Sequence, residues 1–495
     1  MEGVWTAEQI RTTEAVLLDR TPEGALMRRA AFGLATHAAR MLAGRGGVSG
    51  SRVVLLVGAG NNGGDALWAG VTLRRRGVGV TAVLLDPPRA HPAGRGALLR
   101  AGGRAVDPDS GLLAATGADL VVDGIVGISG RGPLREPAAT IVAVVRRAGI
   151  PVLAVDVPSG VDTDTGAAPG PAVVADATVT FGARKPVHVL ARSSCGPVHL
   201  VDIGLDAHLP DPHAEVVGAA DVAARWPVPG PRDDKYTQGV TGVAAGSATY
   251  PGAAVLSTGA AVLATSGMVR FAGSAADGVR ARWPEVVATD TLAGAGRTQA
   301  WAVGPGIGTD GAGRDLLSAV LDRDVPLCVD ADAITLLAEH ADLRAAVAGR
   351  PVVITPHDRE FARLAGDVGD DRIAAARRAA RELDVTVLLK GNATVVADPR
   401  GRVVVHAAGS SWAATAGSGD VLTGMIGALL AAGLDPWWAA ACASLVHGAA
   451  ADLAARGAGS VTRPTPGRSA TAPAPASMLQ AAIPDALRAL RGGTG

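Results

Sequence analysis

Lysine, cysteine and aromatic residues are scarce in this chain, and it has no net charge. Only 3% of its 495 residues are aromatic, and 46 basic residues balance 46 acidic ones. A chain without net charge is not built as a general binder of nucleic acid or of an acidic membrane surface. Three cysteines, Cys195, Cys328 and Cys442, lack CxxC spacing and cannot all pair. That argues against a zinc site or a disulfide framework and makes a reducing cytoplasm the expected compartment. Met1–Asp19 carries scattered charges rather than the apolar core of a signal peptide. Long apolar runs are also lacking. Val421–Leu434 is shorter than the roughly 20 residues of a membrane span, and Trp437–Ala455 is interrupted by His447 and Asp452. Both read as Ala-rich helices buried in a protein that stays off the membrane. Among the basic residues only Lys185, Lys235 and Lys390 are lysine; the remaining 43 are arginine. Where arginine supplies ordinary positive charge, a retained lysine marks a position of interest.

An apolar content of 48% with 19% charged residues describes a folded chain rather than a disordered one. The length exceeds an ordinary single core, so two domains are expected. In the first half, short apolar runs alternate with helix-length intervals: Arg52–Val57, Val80–Leu85, Asp119–Val122 and Pro151–Val155, then Thr178–Phe181 and Val198–Val201. Continuous apolar strands separated by helices predict a parallel sheet covered on both faces. Thr6–Met41 reads as helix. After Gly204 prolines accumulate at 210, 212, 227, 229 and 231, which suggests a linker. Strand signals restart at Val240–Ala245, Ala300–Val303, Leu327–Val329, Val352–Ile354, Val385–Leu389 and Val403–Val405. Arg463–Ala476 reads as a loop and Met478–Leu490 as a final helix.

In the first half, Gly58-Ala59-Gly60-Asn61-Asn62-Gly63-Gly64-Asp65 follows a strand and opens a helix. Glycines there let backbone N–H groups approach an anion, and amide carbonyls can coordinate a hard cation. Asp123 ends a strand ahead of Gly127-Ile128-Ser129-Gly130-Arg131-Gly132-Pro133. Asp156 ends another and begins DVPSGVD, which contains Ser159. Capping is the ordinary reading of any one Asp. Three such loops at the carboxyl ends of parallel strands favour one pocket.

These motifs, with Thr180-Phe181-Gly182-Ala183-Arg184-Lys185-Pro186, resemble the epimerase domain of the bifunctional NAD(P)H-hydrate repair enzymes over most of residues 1–215. The resemblance implies a Rossmann-like three-layer fold that interconverts R- and S-NAD(P)HX, nicotinamide cofactors hydrated on the ring. It implies substrate binding by Asn61, Asn62, Gly63, Gly64 and Asp65, by Gly127 through Pro133 and by Asp156, with potassium held by Asn62, Asp123 and Ser159. The hydrated carbon bears a hydroxyl beside the ring nitrogen, so its epimerisation needs a group that moves a proton. Asp156 is the candidate acid/base; orienting substrate hydroxyls is its alternative role. Ala66 stands where the family usually has glycine.

In the second half, Ala414-Thr415-Ala416-Gly417-Ser418-Gly419-Asp420-Val421-Leu422 precedes a long apolar helix. Backbone N–H groups at a helix start form an anion hole, and Asp420 beside it is a candidate base for a hydroxyl undergoing phosphoryl transfer. The alternative is a glycine-rich helix start with Asp as cap. The loop resembles the GxGD loop of ribokinase-like kinases, and no GxxxxGK[ST] loop is present. Lys390-Gly391-Asn392-Ala393-Thr394 at a strand end suits a nucleotide phosphate. Gly304-Pro305-Gly306-Ile307-Gly308, Asp330-Ala331-Asp332-Ala333 and Thr355-Pro356-His357-Asp358-Arg359-Glu360 follow strands too. A lone histidine such as His357 is ordinarily a surface or capping residue; its place in this series favours a functional one.

With Lys235-Tyr236-Thr237-Gln238-Gly239 and Gly242–Ala254, these segments resemble the dehydratase half of the same enzymes over about residues 232–490. That implies a ribokinase-like α/β domain, a lyase that returns S-NAD(P)HX to NAD(P)H with ADP as phosphoryl donor, releasing AMP and phosphate. By matching position, Ala253, Gly306, His357 and Asp420 contact the hydrate, while Lys390, Gly391, Asn392, Ala393, Thr394 and Gly419 contact the nucleotide. Asp420 is the implied base, and magnesium is expected with the nucleotide; Glu360 is one acidic candidate for it. Ser410-Ser411-Trp412 replaces an Asn-containing segment common in the family, and Trp offers no lone pair there. The expected organisation is an epimerase domain at 1–215, a linker at 216–234 and a dehydratase domain at 235–495, in a homo-oligomer whose partners are small molecules. The alternative makes the second half a small-molecule kinase and the first a non-catalytic cofactor-binding module.

Overall fold

The computed structural model describes residues 1–265, 267–407, 411–457 and 471–492. The chain divides into two compact units, one of Gly3–Ala214 and one of Glu215–Gly495 with Met1–Glu2. In the first unit, seven parallel strands run in the order 104–106, 79–84, 52–57, 120–124, 152–155, 177–181 and 198–201. The order reverses between Arg52–Val57 and Leu120–Gly124, and such a switch point opens a crevice at the carboxyl ends of the strands. The apolar run RVVLLV is buried on both sides because its residues alternate. Val53, Leu55 and Val57 pack among the helices Ala25–Ala43 and Asn61–Arg75. Val54 and Leu56 pack with Ile141 and Val145 of Ala138–Arg147.

The second unit has strands 386–389, 352–354, 327–329, 300–303, 240–244, 268–272 and 287–289 in parallel order, with its own switch between Ala300–Val303 and Val240–Ala244. An antiparallel hairpin, Ala393–Ala397 with Val403–Ala407, extends the sheet beyond Thr386–Leu389. Pro436–Arg456 is the one helix among the described residues with the length and composition of a membrane span. Here it is a core helix: Ala439, Cys442, Val446 and Ala450 are fully buried in the cluster that also holds Met425 and Leu429 of Ser418–Ala431.

Several expectations are corrected. Thr6–Met41 is two helices, Ala7–Leu18 and Ala25–Ala43, because Pro22 interrupts the run and Gly24 adopts φ 69°. The stretch 216–234 is not linker throughout. Glu215 and Val216 pair with Val404 and Val405, Ala219–Arg225 is helical, and Val222 and Trp226 enter the core of the second unit. Prolines 227, 229 and 231 mark the irregular remainder. The final helix is split into Ala476–Ala481 and Ile483–Gly492. Strands at 104–106, 268–272, 287–289 and 393–397 lacked a distinctive run in the sequence. Most of Arg463–Ala476, like Ser410, lies outside the described residues.

Candidate functional sites

In the first unit, Asn61–Arg75 begins at the switch point with Gly60 at φ 86°. A Cβ on Gly58 would lie 1.9 Å from the Ile125 carbonyl oxygen, so only glycine allows the two strand ends to meet. Asn61 is exposed at the helix start, whereas Asn62 through Asp65 are buried. The Asn62 side chain lies under Gly127, where an added Cβ would meet its amide at 3.3 Å. Gly127 and Ile128 are half-buried, Gly130 turns back through its N–H to Gly127 O, and Ser129 and Arg131 through Pro133 are exposed.

Asp123 is fully buried, and among the described residues no basic side chain forms an ion pair with it. Its Oδ1 accepts from Ser159 Oγ at 2.7 Å and its Oδ2 from Ser159 N at 2.8 Å. Burial pushes its carboxyl up to about 6 despite these bonds. Ser159 Oγ also lies 3.1 Å from the Val126 N–H, which donates to it, and the Asn62 amide nitrogen is buried without a hydrogen-bond partner. Carboxylate, hydroxyl and amide therefore gather around Val126 and Gly127, a set of hard donors with uncompensated negative charge.

Asp156 occupies φ 67°, uncommon for a residue other than glycine and a form of strain found at functional sites. Its Oδ1 accepts from Lys185 Nζ at 2.6 Å and Thr180 Oγ1 at 2.9 Å. Lys185 is 1% exposed and also donates to Thr180 Oγ1 and to Phe181 O at 3.0 Å. His188 Nδ1 accepts from Lys185 N, so its Nε2–H faces Asp156 O at 2.8 Å. Burial first, then Lys185, lowers His188 to about 3 and keeps it neutral. Burial favours a protonated Asp156, but Lys185 and Thr180 outweigh it and hold the carboxyl below its ordinary range. Asp65 has the opposite fate: burial, then Asp156 and Glu14, raise it well above the carboxylate range. Glu14, Thr180 and His188 had no role in the sequence reading. The lysine count singled out Lys185, but Glu14 sits in a helix with no motif around it.

In the second unit, Lys390–Asn392 turn between two antiparallel strands, with Gly391 and Asn392 exposed and Ala393 buried. Lys390 Nζ lies 2.6 Å from Asp330 Oδ1 and 3.8 Å from Glu360 Oε2. Burial would lower the ammonium, but Asp330 and Glu360 raise it above its usual range. Asp330 Oδ2 accepts from Thr423 Oγ1 at 2.8 Å, which ties the DADA loop to the helix Ser418–Ala431. Ala331 takes φ 52°, a second non-glycine residue in the left-handed region at a candidate site. Gly417 caps the helix at φ 85° with no side-chain bond, so its first-turn N–H groups face the loop region. His447 Nε2 lies 2.9 Å from Ser418 O; burial, not offset by that bond, lowers it to about 4. Asp420 is raised to about 6 by burial and then by Asp330, against the pull of Lys390.

A Cβ on Gly306 would meet Tyr250 Cβ at 2.9 Å and Ala253 Cβ at 3.2 Å, so Gly306 and Ala253 adjoin. His357 does cap: its Nδ1 accepts from Arg359 N and Glu360 N, while Glu360 accepts from His357 N at 2.8 Å. That leaves its exposed Nε2 turned toward Glu360 Oε1 at 3.5 Å. Gly419 sits 3.5 Å, by its Cβ position, from both Asp330 Oδ2 and Lys390 Nζ. Thr394 Oγ1 donates weakly to Gly391 O, and Trp412 is half-buried ahead of the GSGD loop. Thr423 and His447 were not read as site residues; Thr423 stands three positions after Asp420, one helical turn away.

Comparison with known proteins matches residues 241–469 to a family described as NAD(P)H-hydrate dehydratase and residues 23–187 to one described as YjeF-related protein N-terminus. The bifunctional NAD(P)H-hydrate repair enzyme Nnr of Mycobacterium tuberculosis is 62% identical over 447 residues, covering 89% of this chain and 92% of its own. The Escherichia coli enzyme of the same name is 34% identical over 424 residues, covering 81% of each. A crystal structure of the ADP/ATP-dependent NAD(P)H-hydrate dehydratase from Bacillus subtilis, co-crystallised with ATP and Mg2+, is 26% identical with a TM-score of 0.47, covering 56% of this chain and 99% of that one.

Proposed function

The chain belongs to the family of bifunctional NAD(P)H-hydrate repair enzymes, and from that premise we propose how its two sites divide the work. The first half is an epimerase of NAD(P)H hydrates and the second a dehydratase of them. One observation supports the division of labour: each parallel sheet carries, beyond the carboxyl ends of its strands, its own lysine–aspartate pair, Lys185 with Asp156 and Lys390 with Asp330.

In the first cleft, Asn61 through Asp65, Gly127 through Pro133 and Asp156 hold the hydrate. Asp156, kept anionic by Lys185, orients the substrate hydroxyl and stabilises positive charge that develops on the ring. Asn62, Asp123 and Ser159 fit potassium, since their donors are hard oxygens and the buried Asp123 lacks a countercharge. Potassium would supply that charge and order the loops. In the second cleft, Asp420 is the base on the hydroxyl of the S hydrate, with Ala253, Gly306 and His357 as further contacts. Lys390 through Thr394 and Gly419 hold ADP. Phosphoryl transfer to the hydroxyl makes it a leaving group that the ring nitrogen expels as phosphate, with AMP as the other product. Magnesium accompanies the nucleotide phosphates, and Glu360, beside Lys390, is the neighbouring carboxylate. The epimerase domain then ends at Ala214 and the dehydratase domain takes in residues 215–226 ahead of the expected start at 235.

Incubation with racemic NADHX, ADP and magnesium tests the scheme. Both epimers are expected to be consumed and NADH to appear; without potassium, the R epimer persists while the S epimer is still repaired. Stable phosphorylation of a small alcohol with no NADH formed would favour the kinase reading instead. Size measurement of the full-length chain tests the expected homo-oligomer.

A further inference from the structure

We propose that Glu14 and Asp65 form a proton-sharing carboxyl pair in the first cleft, and that this pair, rather than Asp156, donates the proton that drives epimerisation. The inference rests on the epimerase reading of the first half.

The helices Ala7–Leu18 and Asn61–Arg75 bring the two carboxyls to the wall of one cavity of about 490 Å³, which Asn61, Trp68 and Phe181 also line. Asp65 is 8% exposed, and its Oδ1 is buried with no hydrogen-bond partner. An ionised carboxylate in that position would be costly, whereas a protonated one that hands its proton to a neighbour or a ligand is not. The charges around the pair leave it no cation of its own. Lys185, the one buried ammonium nearby, is taken up by Asp156, Thr180 and the Phe181 carbonyl. Arg28, Glu23 and His91 also border the cavity, and Arg28 and Glu23 are exposed to solvent that screens them. Glu14 and Asp65 line this cavity and feel the charge of Asp156, which holds the one buried cation, so ionising all three carboxyls is unfavourable. Burial, reinforced by Asp156, raises both Glu14 and Asp65, although Lys185 opposes the shift at Glu14. Asp156 moves the other way. Environments that drive neighbouring acids apart assign the roles: of the three, the raised pair is the proton holder and Asp156 the anion.

The step balances. The pair donates a proton to the hydroxyl oxygen of the hydrated carbon as the C–O bond breaks. The lone pair of the ring nitrogen forms the C=N bond, and water leaves. Water then adds to the opposite face, the C=N electrons return to nitrogen, and the proton released passes back to the pair through the open cleft. Asp156 faces the cationic intermediate as its counter-anion.

Glu14→Gln in the full-length protein tests this. The expected result is a fall in kcat for epimerisation of about 100-fold, within the usual range for loss of general acid–base catalysis, with KM little changed. The pair must be protonated to act, so activity declines as pH rises through its titration. Removing Glu14 removes a like charge beside Asp65, so the alkaline limb of the residual activity should move to lower pH. Glu14→Asp should recover part of the rate. Dehydration of the S epimer by the same preparation shows that the protein is intact. If wild type interconverts the epimers and Glu14→Gln matches it in kcat and in alkaline limb, or differs only in KM, the proposal is overturned. If wild type itself does not interconvert them, the epimerase reading falls and this proposal with it.

Discussion

Two of the three lysines end in the same device. Lys185 Nζ is 2.6 Å from Asp156, Lys390 Nζ is 2.6 Å from Asp330, and a threonine hydroxyl bonds each aspartate as well. A compact ammonium with three donors fits between a carboxylate, a hydroxyl and a carbonyl where a planar guanidinium does not. Lys185 meets all three, which is why arginine does not take its place there. Lys235, by contrast, is exposed and lies 5.1 Å from the ring centroid of Tyr236. Lys185→Met should leave Asp156 as an unpaired buried charge and destabilise the first unit by about 3–5 kcal/mol. Adding Asp156→Asn should restore much of that stability in denaturant unfolding without restoring epimerisation. As the proposed base, Asp420 must be ionised. With its carboxyl raised to about 6, dehydration should fall as pH drops through about 6, and a pH–rate profile of NADH formation measures this.

At the scale of elements, strand ends and helix starts carry the chemistry. The acids at the two sites sit where the backbone leaves the ordinary regions, at Asp156 itself and at Ala331 between Asp330 and Asp332. Which non-glycine residues would take positive φ was not legible in the sequence. The alanine at position 66, unusual for the family, is explained one strand away. A Cβ on Gly124 would lie 2.7 Å from Ala66 Cβ, so glycine on the strand leaves room for the methyl on the helix. Gly124→Ala should cost about 1–3 kcal/mol through overpacking. Ala66→Gly should recover part of it, and a double-mutant cycle on thermal unfolding measures the coupling.

At the scale of the molecule, each unit has its own sheet and core. Asp420→Asn should therefore abolish dehydration and leave epimerisation at its wild-type rate, as read by chromatography of the two epimers. Parallel loss of both activities would count against independent sites. The boundary between the units shows how a proline-rich stretch misleads. Residues 216–226 read as linker because three-residue strands and seven-residue helices carry too little periodicity to stand out, yet Val222 and Trp226 are buried in the second core.

The amino-acid sequence by itself determined two parallel α/β units, the loops at their strand ends and the family to which both halves belong. Those features live in local patterns: apolar runs buried on both faces, glycines where chain segments meet, and acids placed just beyond strands. Tertiary structure alone decided which acid is ionised. Asp65, Asp156 and Glu14 are simply carboxylic acids in the sequence, but Asp156 gains Lys185 while buried Asp65 and half-buried Glu14 have carboxyl neighbours. Protonation depends on desolvation and on charges brought together from distant parts of the chain, and neither is written in any short motif.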